Sequence, residues 1–372
     1  MSTASVKRIF RDETDSSSFG SIGFISLASS GRLKGFIGPA VRHGKDDGRI
    51  APVENREHAE FIGNAVREGI KRLEETSNTR LSLRVIATSG AIAFLDNEIR
   101  RSGAEIEAQI PVNETYSIIY IGYNSNSRRI DESTLNSFRE KINETFSKTD
   151  NQKSMKELAR DSAEFGLSAA SAPSSSSQSN KTRYQIKIID SQQRLFSNSE
   201  LDEISSLLSI FGYNRSDAIS TVTNVSNIIG LVYNGAGNIV GISVTESRSI
   251  KLSNGDTINI AELTDAHISK ESRGKSTYSR LLIEVLRNIC SNRGDIQLIY
   301  AESNISSDSI IKTAAAHGRG FAGILPNHVE IKDSSGNSSP KNFAVTYLDR
   351  DGMSKTVERF DAESAIQEAL RK

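Results

Sequence analysis

The spacing of apolar positions predicts helices that alternate with strands through most of the chain. In residues 55–75 and 131–148, apolar side chains recur three or four positions apart, which is the pattern of a helix with one buried face. Residues 81–88 and 116–123 are short apolar runs of the kind that form buried strands. Helices and strands in alternation predict an α/β fold for the first half of the chain.

A serine- and alanine-rich segment, GLSAASAPSSSSQSNK at residues 166–181, separates this half from the next. It has almost no large apolar side chain, so its burial would not offset the conformational entropy lost when the segment becomes ordered. We therefore predict a separate α/β domain at residues 1–167, a flexible linker at 168–182 and a second domain at 183–372.

The second half is organised around a polar loop that follows an apolar strand. Before it, strand patterns occur at residues 183–190, 228–233 and 239–245, and a helix pattern occurs at 198–211. Residues 258–268 form a further apolar run, and the loop SKESRGKST then leads into an amphipathic helix that begins near Tyr278. The helix start, together with Arg273 and Lys275, would favour an anion such as a phosphate or pyrophosphate group.

The loop allows two interpretations that do not involve an acyl donor. Gly274-Lys275-Ser276 matches the end of the P-loop motif GxxxxGK[ST], but Ser269 stands where that motif has its first glycine. A second, simpler interpretation is an ordinary surface loop that caps the helix.

The loop is also similar to the acetyl-CoA loop of the GNAT superfamily of acetyltransferases, roughly Val-x-Pro-x-x-Arg-Gly-x-Gly-x-Gly/Ala. Ile268 stands at the valine, and Arg273 and Gly274 stand at the arginine and the first glycine. The chain departs from the motif at its proline, its next glycine and its last small residue, which are replaced by Lys270, Ser276 and Tyr278.

The elements after the loop keep the order of that superfamily. An apolar run at residues 296–301 precedes Asn304, a helix pattern covers 306–316, and Gly320-Phe321 precedes two strand-like runs. The resemblance covers about residues 183–348, and within the superfamily the chain is most similar to the branch that contains β-lysine acetyltransferases. It implies a mixed β-sheet flanked by helices, and acetyl-CoA as the co-substrate.

The resemblance also implies roles for individual residues. The donor would be held by His267, Ile268, Arg273, Gly274, Lys275, Ser276, Thr277, Tyr278 and Asn304. Glu262 would be the general base that accepts the amine proton. Asp265 is the alternative base, although strand parity puts both carboxylates on one face only if a bulge intervenes. The family's usual tyrosine acid is absent at Ala316, and the neighbouring His317 would replace it unless it only interacts with its helix terminus.

The implied function is transfer of an acetyl or related acyl group from acyl-CoA to a small amine or amino acid. The alternative is a catalytically degenerate GNAT-like module that binds CoA or acts as a sensor, tethered to an N-terminal domain that carries the main activity. The absent tyrosine and the replaced loop glycines favour this alternative.

The overall composition narrows the class of partner. Lysine and arginine total 46, as do aspartate and glutamate, so the formal net charge is zero. A protein without a global basic field is not expected to bind nucleic acid.

The single cysteine, Cys290, excludes an intrachain disulfide. No run approaches the ~20 apolar residues of a membrane span, and the polar start has no secretory signal. We expect a cytoplasmic protein whose partner is a small molecule.

One tripeptide in the first half suggests a different enzyme class. Arg42-His43-Gly44 occurs in histidine phosphatases, which need a second histidine to stabilise the phosphoryl group. The first half offers only His58, at the edge of a predicted helix's apolar face, where a packed histidine is the more common outcome.

Overall fold

The computed structural model describes residues 25–27, 32–36, 50–75, 80–125, 130–147, 151–164, 184–190, 196–211, 213–273, 276–332 and 338–370. The predicted linker at 168–182, the Arg42-His43-Gly44 tripeptide and two predicted loop residues, Gly274 and Lys275, lie outside these ranges.

Within these ranges the chain forms twelve strands and nine α-helices. The strands are β1 (Ile25–Leu27), β2 (Arg32–Phe36), β3 (Arg80–Thr88), β4 (Glu105–Pro111), β5 (Tyr116–Asn124), β6 (Gln185–Asp190), β7 (Asn227–Tyr233), β8 (Ile239–Lys251), β9 (Thr257–Ile268), β10 (Leu298–Asn304), β11 (Gly320–Lys332) and β12 (Ser338–Asp349). The helices are α1 (Arg56–Glu74), α2 (Ile92–Arg101), α3 (Glu132–Ser147), α4 (Asn151–Glu164), α5 (Asn198–Leu208), α6 (Arg215–Thr223), α7 (Thr277–Asn292), α8 (Asp308–Ala316) and α9 (Arg350–Ala369). The predicted mixed α/β fold is confirmed.

All twelve strands belong to one sheet, in the order β1-β2-β3-β5-β4-β11-β12-β10-β9-β8-β7-β6. The neighbours β2 and β3 pair in parallel, as do β9 and β10, and the other neighbouring strands pair antiparallel. The sheet therefore runs through both halves of the chain. The predicted domain boundaries at 167 and 183 remain predictions, because the segment between them lies outside the described residues.

The two halves join where β11 meets β4, at the pair Gly323 and Ala108. Gly323 has φ +155°, and a Cβ placed on it would lie 2.1 Å from the Glu107 carbonyl oxygen. Only glycine allows the two backbones to approach this closely. Beside the junction, Tyr120 of the first half packs in one buried cluster with Tyr300 of the second.

Two helices that precede the predicted linker pack on the second half of the chain. Met155 and Leu158 of α4 lie in one buried cluster with Ile283 of α7 and Phe360 of α9. Leu135 and Ile142 of α3 lie in another cluster with Ile311 of α8 and Ile324 of β11. The first half thus supplies part of the layer that covers the second half's helices. No described helix combines the length and the apolar character that crossing a bilayer requires.

The close approach at the junction generates a stability prediction. Replacing Gly323 with alanine should lower the free energy of unfolding by at least about 2 kcal/mol, because the new Cβ meets backbone atoms that cannot move aside without breaking the β4–β11 pair. Urea-induced unfolding would measure the loss. Gly90→Ala is the matched control, since nothing lies within 4 Å of its Cβ position, and it should change stability by less than about 0.5 kcal/mol. Equal effects of the two changes would contradict the prediction.

Candidate functional site

The parallel strands β9 and β10 separate before either strand ends. Their pairing runs from Ile260 with Leu298 to Leu263 with Ala301 and stops there, although β9 continues to Ile268. At the same level β9 contains an extra residue, Thr264, because Val244 of β8 pairs with Asp265 and Thr245 pairs with Leu263. This is a β-bulge, which bends a strand and redirects the side chains that follow. It opens the sheet at the end that leads into the polar loop.

The bulge places Glu262 and Asp265 on the same face of β9. Glu262 accepts a hydrogen bond from Tyr300 Oη at 2.7 Å, and Asp265 accepts one from Tyr213 Oη at 2.8 Å. The alternation of side chains along a strand requires a bulge if both carboxylates are to lie on one face, and β9 has this bulge. His267 follows on this face, with its ring edge-to-face against Phe211 at a centroid distance of 6.3 Å.

Asp265 has the electrostatics of a proton acceptor that works near neutral pH. Burial raises its pKa to about 6, and the charges of Glu246 and Glu262 add to the rise, against the lowering effect of the hydrogen bond from Tyr213. The pKa of Tyr213 lies above its usual range because of burial and the neighbouring Asp265, so this phenol remains a hydrogen-bond donor. A carboxylate of this kind can take a proton from an amine and release it again.

Glu262 lies deeper, in a buried group of charged and aromatic side chains that we call the junction cluster: Arg84, Glu262, Tyr300, Glu302 and His328. Arg84 donates to Glu262 from Nη1 at 3.2 Å and from Nη2 at 3.4 Å, and also donates to Glu302. His328 Nε2 lies 2.7 Å from Glu302. Glu262 itself is only 5% exposed. The predicted base is therefore engaged by a guanidinium from the other half of the chain.

Sequence reasoning missed Arg84, although a signal was present. It is a charged residue in the middle of β3, a strand that is buried along nearly its whole length. Its guanidinium also lies over the ring of Tyr120 at 4.9 Å and over that of Tyr300 at 5.6 Å. An arginine in a strand buried on both faces predicts a buried partner of opposite charge.

The described part of the loop keeps the backbone shape that a glycine would allow. Ser276 has φ +53° and ψ +11°, the left-handed conformation that serine rarely adopts. Helix α7 starts directly after it with no side-chain cap on its first N–H groups. Arg273 Nε donates to the Ile268 carbonyl at 3.0 Å, which ties the loop to the end of β9. The positive end of the α7 dipole thus lies beside the opening of the sheet.

The side chains of Asp161, Tyr278 and Thr277 lie around this helix start. Ser276 Oγ donates to Asp161 Oδ2 of α4 at 3.0 Å, so a carboxylate lies close to the end of the helix that favours anions. Tyr278 lies in a buried cluster with Ile268 and Leu281, and burial raises its pKa. Thr277 Oγ1 donates to the Ser272 carbonyl at 3.3 Å.

The remaining predicted residues lie apart from Glu262. Asn304 accepts a hydrogen bond from the Ser306 N–H at 2.9 Å at the end of β10. His317 is completely buried at the end of α8, where its carbonyl accepts from Thr356 Oγ1 of α9 at 2.6 Å. Burial, together with the charges of two nearby arginines, lowers the pKa of His317 to about 3. The structure does not bring His317 to Glu262, and both catalytic assignments remain predictions.

A separate cavity lies at the opposite end of β8 and β9. It has a volume of about 540 Å³ and is lined mainly by polar side chains, including Arg248, Ser249, Asn259, Arg293 and Asp295. None of the predicted donor-binding residues that the structure describes lines it. We place the candidate site at the separation of β9 and β10 because the bulge, the carboxylate with a raised pKa and the helix start meet there.

The chain is similar in fold to several solved structures. No family model matches the chain, and no curated protein matches it.

Three similar solved structures are acetyltransferases. A putative acetyltransferase from Acinetobacter baylyi is 13% identical, with 45% of this chain and 93% of that one covered and a TM-score of 0.34. Arabidopsis thaliana NAA60 in complex with acetyl-CoA is 12% identical, covering 44% and 98%, with a TM-score of 0.37. Spermidine N-acetyltransferase from Vibrio cholerae, with CoA and spermine, is 13% identical, covering 45% and 97%, with a TM-score of 0.36. At these identities the likeness extends no further than the fold.

The junction cluster generates a prediction about coupling between the two halves. Arg84→Met should lower the free energy of unfolding by about 3–5 kcal/mol, because it leaves buried carboxylates without their guanidinium. Glu262→Gln in the same protein should restore part of the loss, since it removes one of the uncompensated charges. Urea unfolding of both single variants and the double variant would give the interaction free energy.

The control for this cycle is Arg100→Met. Arg100 makes an exposed ion pair with Asp96 at 2.9 Å, and its removal should leave the unfolding midpoint unchanged. Strict additivity of the Arg84 and Glu262 changes would show that the two side chains do not depend on each other.

Proposed function

We propose that the second half of this protein is an N-acyltransferase that uses acetyl-CoA or a related acyl-CoA, with a small amine or amino acid as the acceptor. The observation that carries the proposal is the position of Asp265, a carboxylate with a pKa of about 6 beside the bulge at Thr264. Acyl transfer to an amine requires a proton acceptor at the point where the donor's thioester is held. The motif resemblance and the fold likeness support the same class of reaction.

The donor would enter where β9 and β10 separate. Its pyrophosphate would lie against the first turn of α7, where backbone N–H groups and the helix dipole favour negative charge, with Arg273 beside it. Backbone N–H groups of β9 beyond Leu263 would polarise the thioester carbonyl, as preorganised donors do for developing oxyanions. The proposed donor site therefore consists of the start of α7, Arg273 and backbone N–H groups of β9.

The chemical step requires a neutral amine. We assign its proton to Asp265, held in place by the hydrogen bond from Tyr213. The amine nitrogen then forms a bond to the thioester carbonyl carbon, the carbon–sulfur bond breaks, and the proton that the nitrogen loses on forming the amide goes to the departing thiolate. Glu262, the base expected from the sequence, is the competing assignment. Its engagement with Arg84 and Tyr300 makes Asp265 the better-placed group.

This assignment predicts a pH profile. Turnover should rise as the pH increases through about 6, because only the deprotonated form of Asp265 can accept a proton. Asp265→Asn keeps the acceptor oxygen for Tyr213 but cannot be protonated in this range, and should lower turnover by roughly 10²–10⁴-fold and remove the rise. Mass spectrometry of acetyl-CoA with a pool of amines would measure the products.

The matched control is Glu262→Gln on the same face of the strand. It should reduce stability, because Arg84 loses one of its two carboxylate partners, yet retain the rise in turnover with pH. The opposite result, loss of the rise in Glu262→Gln and its retention in Asp265→Asn, would assign the base to Glu262.

The loop gives a second test, on donor binding alone. Arg273→Ala should weaken CoA binding about tenfold to a hundredfold, because it removes a charge-assisted hydrogen bond to phosphate and the link from the loop to the Ile268 carbonyl. Isothermal titration calorimetry would measure the affinity. Arg293→Ala, at the opposite end of α7, should leave it unchanged. Equal weakening by both variants would indicate a general charge effect rather than a loop site.

A second candidate function is a degenerate module that binds CoA or another ligand without turnover. Tyr278 favours it, because a large, partly buried side chain stands where the family's loop has a small residue. Asp161 favours it too, since its carboxylate lies next to the proposed pyrophosphate position. CoA binding with no product in any amine pool would support this candidate. Absence of CoA binding would contradict both.

A further inference from the structure

Three basic side chains meet at the carboxyl end of α8, on the side of the sheet that carries α9. We call His317, Arg319 and Arg359 the basic cluster. The chain turns at Gly318, which has φ +70°, and Arg319 follows with its N–H bonded to the Ala314 carbonyl at 3.1 Å. His317 is fully buried, Arg319 is 6% exposed and Arg359 is half-buried. Arg359 donates from Nη2 to the Ala316 carbonyl.

Arg319 differs from the other buried arginines of the described chain. The other three are Arg80, Arg84 and Arg280. Arg80 pairs with Glu107, with Nη1 at 3.0 Å from the carboxylate, and Arg280 pairs with Glu284 at 2.7 Å. Arg84 pairs with two carboxylates. Arg319 has no carboxylate partner among the residues that the structure describes, and its Nε and Nη2 make no hydrogen bond there.

Its neighbours share this lack of acceptors. Neither ring nitrogen of His317 has a hydrogen-bond partner in the described chain, and the same holds for Arg359 Nε. Burial lowers the pKa of Arg319, and the one nearby group that opposes this is the phenol of Tyr278. A buried guanidinium without a counter-charge is costly, and proteins rarely retain one unless something supplies the missing acceptors.

The geometry points to an oxyanion: we infer that the basic cluster binds a phosphate group of a small ligand. A phosphate supplies several acceptor oxygens at once, which suits two planar guanidinium forks and an imidazole N–H. Gly318 contributes by having no side chain, since the nearest heavy atom to its Cβ position is Arg359 Nη2 at 3.9 Å. Arg359, being half-buried, connects the cluster to the surface.

This inference does not depend on the proposed acyltransferase function. The phosphate group could belong to an acyl-CoA donor or to free inorganic phosphate, and both present the same chemistry to the cluster. The experiment must therefore separate the two sources.

The test is thermal unfolding of the full-length protein in phosphate-free buffer and with inorganic phosphate added at constant ionic strength. Wild-type protein should gain a saturable rise in Tm. Arg319→Met should be at least as stable as wild type without phosphate, because it removes an uncompensated buried charge, and should show no saturable rise. Arg359→Met gives a second measurement at the half-buried position, where the phosphate response should shrink several-fold.

The matched control is Arg350→Met. Arg350 donates to the carbonyls of Ile289 at 3.2 Å, Cys290 at 2.7 Å and Arg293 at 3.2 Å, so it has its acceptors already. Its removal should lower Tm in every buffer and leave the phosphate response intact. The contrast distinguishes Arg319, an arginine that binds a ligand, from Arg350, an arginine that stabilises the fold.

A parallel titration with CoA identifies the source of the phosphate. A saturable rise with CoA alone, lost in Arg319→Met, would assign the cluster to the donor. A rise with inorganic phosphate would assign it to a free anion or to another phosphorylated ligand. The inference is overturned if neither compound gives a saturable rise and Arg319→Met lowers Tm as Arg350→Met does. Absence of acyl transfer in any of these proteins would bear on the proposed function and not on the cluster.

Discussion

One guanidinium fixes the relation between the two halves of this protein. Arg84 lies on β3 of the first half and donates to Glu262 and Glu302, which lie on β9 and β10 of the second. These groups are buried, and a buried charge is tolerated only when its partner is held in place. The ion pairs join charges of the two halves, so the interaction favours one relative placement of the halves. The close contact of Gly323 with Ala108 then continues the sheet across the junction.

The same interaction divides the acidic residues of the candidate site by role. Glu262 is held by Arg84 and Tyr300, whereas Asp265, three residues later, accepts a hydrogen bond from the phenol of Tyr213 and lies outside the contacts of Arg84. The bulge at Thr264 is what makes the comparison possible, because without it the two carboxylates would point to opposite faces. The charge of Glu262 still reaches Asp265 and helps to raise its pKa. A structural ion pair and a candidate base are therefore electrostatically linked.

The sequence predicted several elements closely because their signals are local. The helix expected at 55–75 is Arg56–Glu74, and the helix expected from Tyr278 begins at Thr277. Where the local signal was weak, the prediction fell short. Helix α4 was not predicted, and helix α9 lies beyond residue 348, where the resemblance ends. These two helices pack against each other and against α7 through Met155, Ile283 and Phe360. Their formation depends on that contact more than on their own periodicity.

By itself the sequence determined the alternation of helices and strands, the order of the motifs, and the position of an anion-favouring helix start. These are properties of neighbouring residues, because periodicity, capping and turn chemistry act over a few positions. The tertiary structure decided that Glu262 forms an ion pair and that Asp265 does not share it. Arg84 contacts its partners Glu262 and Glu302 from 178 and 218 positions away in the chain. The tertiary structure also decided that Ser276 adopts a glycine-like conformation and that Arg319 is buried with no carboxylate partner among the described residues. Pairing and burial of charge depend on which distant segments meet, and no local pattern of residues encodes that.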